Sequence, residues 1–84
     1  MPSDSDQGFE EVTMHEAGRV PLTRREREIL SALAEGLSGA QIAEQLVLSP
    51  ETVRTHVRNA MSKLGAHTRA HAIVVALRRN EIAL

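Results

Sequence analysis

Apolar residues first recur at helical spacing at Ile29, Leu30, Leu33 and Leu37, after about twenty residues with no sustained period. Thr23 and Glu26 stand ahead of this stripe in the S/T-x-x-E order of a capping box, and Gly36 follows it as a stop. A first helix is therefore expected over about 23–35. Ser38 caps a second, about 39–46, which turns Ile42, Ala43 and Leu46 inward. Val47 and Leu48 form a short link to Ser49 and Pro50, a cap and a first-turn proline that open a third helix over about 50–64. Val53, Val57, Ala60, Met61 and Leu64 share one face of this helix, and Gly65 ends it. Thr68 caps a fourth helix, about 69–79, whose "AIVVAL" is apolar on more than one side. No segment alternates as a half-buried strand does, although the β-branched residues at 73–75 leave slight ambiguity. Four helices with short connections predict an all-α domain.

The polar side of the third helix raises the functional question. It carries Arg54, Thr55, Arg58, Asn59 and Ser62. The second and third helices are joined by too few residues for an antiparallel hairpin, and such a turn suits a helix-turn-helix. Ala43 is small enough for close approach of the two helices, with Val53 packed beneath it. In such a unit the second helix places its polar face in the DNA major groove. Arg54 and Arg58 are one turn apart, and a guanidinium can donate two hydrogen bonds to guanine O6 and N7. Thr55 offers a hydroxyl and a methyl to a base edge. Ser49, Thr52 and the N–H groups at the helix start suit a phosphate. Glu51 either favours the positive end of the helix dipole or accepts from a cytosine amine.

Charge changes the picture only when divided. The 84 residues carry a net charge of −1, but residues 1–20 hold −4 and residues 21–84 hold +3. The acidic stretch 1–20 is expected to be a largely disordered tail or linker, with a short helix around Phe9–Met14 as an alternative. Residues 21–84 form the expected domain. One aromatic residue, Phe9, argues against single-strand binding by base stacking. There is no cysteine, which excludes disulfides, zinc ribbons and cysteine nucleophiles. No apolar run approaches membrane-spanning length, and no leader-like pattern opens the sequence, so a cytoplasmic, nucleoid-associated location is expected. His67 and His71 are spaced like two zinc ligands, with His56 or Glu81 as a conceivable third, but no HExxH and no glycine-rich phosphate loop is present. Neither catalysis, a metal, a cofactor nor a small-molecule ligand is expected.

The stretches "LTRRERE", "GLS", "IAEQL", "SPETVRTHVRNAMSKLG" and "TRAHA", spread over about residues 22–82, resemble the LuxR-type (NarL/FixJ/GerE) DNA-binding domain of bacterial transcription regulators. The look is nearest to small stand-alone GerE-like regulators. The resemblance implies a four-helix domain that binds double-stranded promoter DNA, usually as a dimer on paired half-sites. It puts Arg54, Thr55 and Arg58 at base-reading positions. It puts Thr52 and His56 close to the DNA backbone or buttressing the reading helix, and Lys63 near phosphate. Asn59 and Gln41 complete the expected backbone contacts. Glu26 and Arg69 match positions that are mainly structural in the family. Gly39 and Ala40 stand where many members have a polar-basic pair, which removes one phosphate contact. The fourth helix is implied to pair with a second copy through Ala70, Ile73, Val74 and Leu77; the competing reading folds Ile82 and Leu84 back over this stripe. The rival function is a protein-interaction module on the same scaffold, with RNA polymerase or another regulator as partner and weak or no specific DNA binding. Retention of Arg54 and Arg58 favours DNA.

Overall fold

The computed structural model describes residues 20–84. These form four helices, α1 (Arg24–Ala34), α2 (Gly39–Leu46), α3 (Pro50–Leu64) and α4 (Arg69–Arg78), with no strand among the described residues. The expected acidic tail and the short helix at Phe9–Met14 lie outside the described residues.

Each helix begins where a short polar side chain can satisfy a backbone N–H that the helix itself leaves unbonded. Thr23 Oγ1 accepts from Glu26 N, and the Glu26 carboxylate accepts in return from Thr23 N at 2.9 Å. Ser38 and Gln41 make the same reciprocal box at the start of α2. Ser49 caps α3 ahead of Pro50, and Thr68 caps α4 through His71 N. Gly36 and Gly65 carry positive φ where the chain leaves α1 and α3. Val47 ends α2 in the left-handed region at φ 57, which a β-branched side chain adopts only under strain.

The core has two parts, and α3 belongs to both. Ile29, Ile42, Ala43, Val53 and Val57 join α1 and α2 to the first half of α3, with Ala43 and Val53 in one cluster as their spacing predicts. Leu22, Leu30, Ala60, Leu64, Ala66, Ala72, Ala76 and Ile82 join α1, the second half of α3, α4 and the final residues. Met61, expected inside, is half-buried and touches both clusters from the surface. The apolar stripe on α4 divides in the same way. Ala70 and Val74 are exposed, whereas Ile73 and Leu77 rest partly against the domain's own core. Ile82 does fold back and is buried; Leu84 stays outside, 83% exposed.

One charged residue is buried among the described residues. Glu26 is 1% exposed, and its carboxylate accepts from Lys63 Nζ at 2.9 and 3.2 Å while also closing the α1 cap. Three hydrogen bonds supply what burial of a carboxylate demands. The pair ties the start of α1 to the end of α3. No described helix is long and apolar enough to cross a membrane.

Candidate nucleic-acid interface

α3 is held on one side by core residues at i, i+4, i+7 and i+11 (Val53, Val57, Ala60 and Leu64), so residues between them point outward. Arg54, Thr55 and Arg58 are exposed on that outer face. Arg54 and Arg58 line one open cleft together with Val57, Met61 and Arg69 from α4. Thr55 Oγ1 donates to Glu51 O at 3.1 Å. Its proton is thereby occupied, leaving its methyl and lone pairs to face outward.

The start of α3 offers less to an anion than the sequence suggests. Pro50 has no N–H, Thr52 N donates to Ser49 Oγ and Val53 N donates to Ser49 O. Glu51 N is the donor left over in that turn, beside its own carboxylate. The Ser49 and Thr52 hydroxyls bond each other at 2.8 Å, so one proton of the pair remains to be offered. Gln41 is exposed with Oε1 held by Ser38 N at 2.8 Å, which turns its amide NH2 to solvent as a donor. Asn59 is half-buried.

Two residues of the expected DNA-backbone set are engaged with the domain's own side chains or partly buried. The Lys63 side chain is only 12% exposed and its ammonium is engaged by Glu26, which gives it a structural role in this fold. An ammonium bonded to both oxygens of a buried carboxylate has one N–H left to offer. His56 is half-buried near Glu26, Arg25 and Lys63. Burial pulls its pKa below the ordinary 6.5, with the charges of Arg25 and Lys63 acting in the same direction and the Glu26 carboxylate opposing them. A neutral, half-buried imidazole packed toward α1 is placed as a buttress for α3. His67 and His71 are both exposed.

Ion pairing sorts the nine cations of residues 21–84 by position. Arg24 and Arg25 meet Glu28, Arg27 meets Glu81, and Lys63 meets Glu26. Arg54, Arg58, Arg69, Arg78 and Arg79 meet no carboxylate among the described residues. The cations of the α1 side are thus largely offset by three carboxylates, while Arg54, Arg58, Arg69, Arg78 and Arg79 are left unpaired among the described residues. The sequence shows the total of +3 but not this sorting, because Glu81 and Glu26 find their partners only through the fold.

α2, the left-handed turn at Val47 and the outward-facing α3 make a helix-turn-helix within a four-helix, all-α domain. The family model described as bacterial regulatory proteins of the luxR family matches residues 20–76, and the chain belongs to that family. It is 44% identical over 63 residues to the spore germination protein GerE of Bacillus subtilis, covering 75% of this chain and 85% of that one. It is 48% identical over 59 residues to a nitrate/nitrite response regulator protein homolog of Haemophilus influenzae, covering 70% of this chain but 28% of that protein. The solved structure of the transcription factor GerE superposes with a TM-score of 0.73 at 43% identity, over 77% of this chain and 97% of that one. The response regulator ChrA of a heme-sensing two-component system gives 0.72 at 44% identity, over 76% of this chain and 32% of ChrA. The chain therefore spans most of GerE but less than a third of the response regulators it matches.

Proposed function

We propose that residues 21–84 are the DNA-reading domain of a transcription regulator, with α3 lying in the major groove of promoter DNA. The observation that carries this reading is the pair Arg54 and Arg58, exposed one turn apart on α3 with no carboxylate partner among the described residues. Bidentate donation to guanine O6 and N7 is the use that such a pair suits best. Thr55 contributes its methyl and lone pairs to a neighbouring base edge. Gln41 and the Ser49–Thr52 hydroxyl pair supply backbone contacts that fix the register. Kinship with the transcription factor GerE and with response regulators supports the same reading.

The regulator acts on paired half-sites as a dimer through α4. The exposed part of its apolar stripe, Ala70 and Val74, is small, with Val74 at 43% exposure. A contact of that size associates weakly in the absence of DNA and is completed on it.

Selection of bound sequences from a random duplex pool, run beside Arg58→Ala, tests the proposal. A motif with two-fold symmetry is expected, and the substitution is expected to cost about 1–3 kcal/mol and blur one position of each half-site. A folded protein that enriches no sequence would overturn the reading and leave the scaffold as a protein-interaction module, to be tried first against RNA polymerase.

A further inference from the structure

Arg69 begins α4, the end of a helix where its own charge is disfavoured by the macrodipole. It meets no carboxylate among the described residues, and it is exposed. Neither helix stability nor an internal ion pair therefore accounts for an arginine there. What the fold does give it is a place on the cleft that Arg54 and Arg58 line together with Val57 and Met61. Three guanidinium groups converge on one open surface with nothing among the described residues to neutralise them.

The dimensions of α3 separate the roles of these arginines. Its 15 residues extend about 22 Å at 1.5 Å per residue, against a major groove about 12 Å wide. Only part of the helix can lie within the groove. Arg54 and Arg58 belong to the first two-thirds of α3, whereas Met61 and the start of α4 fall toward the groove's edge. We infer that Arg69 binds a backbone phosphate of duplex DNA at that edge, on the wall opposite the one met by the Ser49–Thr52 end of α3. The inference rests on the DNA reading above and deepens it: α3 is gripped at both rims, and the second grip comes from a different helix. A guanidinium beside apolar side chains also sheds little bound water when it takes up a phosphate, which suits arginine better than lysine.

The test compares wild type, Arg69→Gln and Arg69→Lys on a selected duplex and on a random duplex of equal length, from 50 to 200 mM salt. Loss of one phosphate contact lowers the slope of log K against log salt by about 0.9. The affinity gap between wild type and Arg69→Gln is then expected to shrink about 3.5-fold across that range, equally on both duplexes. Arg69→Lys is expected to keep the wild-type slope. Circular dichroism and thermal melting check that each variant is folded. A neutral methylphosphonate, walked one position at a time along the selected duplex, gives a reading that needs no protein variant. At one position outside the read bases it is expected to weaken wild type and leave Arg69→Gln unaffected.

An unchanged slope in folded Arg69→Gln would overturn the inference while leaving the DNA reading intact. So would a loss confined to the selected duplex, which would make Arg69 a base reader. Failure of the wild type to bind either duplex would instead remove the DNA reading itself, and this inference with it.

Discussion

The two halves of the core are built from different side chains. The half beneath the helix-turn-helix is Ile29, Ile42, Val53 and Val57 around the single small residue Ala43. The half beneath α4 has four alanines, Ala60, Ala66, Ala72 and Ala76, among Leu22, Leu30, Leu64 and Ile82. β-Branched residues have few rotamers, so the first half fixes the relative position of α2 and α3 and hence of the outward face of α3. Alanines let helices approach closely but bury little area each, so α4 is held by fit more than by apolar mass. The half proposed to read DNA is thus rigidly packed. The half proposed to pair with a second copy packs through alanines and keeps part of its apolar surface exposed.

The strongest way to break this comparison is to cut what joins the halves. Lys63→Met leaves the Glu26 carboxylate buried without its cation and is expected to lose about 3–5 kcal/mol in urea unfolding. Glu26→Gln should lose less, because an amide oxygen can still accept from Thr23 N and the stranded Lys63 can turn toward solvent. Equal, small losses in both would show that the pair does not join the halves. Next come opposite substitutions in the two clusters. Ile42→Ala should lose about 2–5 kcal/mol by opening a cavity. Ala76→Leu should lose about 1–3 kcal/mol by overpacking. Circular dichroism melts of both proteins would contradict the contrast if Ala76→Leu were neutral.

A smaller effect of opposite sign is expected at the turn. Val47 is 88% exposed at φ 57, so its side chain contributes strain and almost no packing. Val47→Gly should gain about 0.5–1 kcal/mol, the relief of the left-handed backbone less the extra freedom of glycine in the unfolded chain. The smallest effect is pH dependence through His56. Its pKa is lower folded than unfolded, so the unfolded chain binds the proton first as pH falls. Stability is full above the unfolded value of 6.5, declines as pH drops through and below it, and levels off once folded His56 is also protonated. Melting curves of His56→Gln should lack that decline; if they retain it, another group is responsible.

What could be read in advance was local. The helix starts at Thr23, Ser38, Ser49 and Thr68 were legible because a cap and its partner lie within three residues of each other. The outward face of α3 was legible because its period is short. The Lys63–Glu26 pair was not legible because the two residues are 37 positions apart, and no periodic pattern links them. Met61 kept the helical register of a core residue, but it lies where the two clusters meet and the helices diverge, so it ends at the surface. The nearness of Arg69 to Arg54 and Arg58 was not legible, because it depends on how α4 crosses α3. The strain at Val47 follows from squeezing a helix end and the next cap into three residues, a constraint that composition does not express.

The final residues close the domain on itself. Glu81 accepts from Leu22 N at 3.4 Å and faces Arg27, and Ile82 lies in the same cluster as Leu22. The residues that flank the four helices on either side, Leu22 and Glu81–Ile82, are therefore neighbours. Such a unit has in effect one attachment point. It can be carried behind another domain, or spliced into a host loop, without its helices having to part.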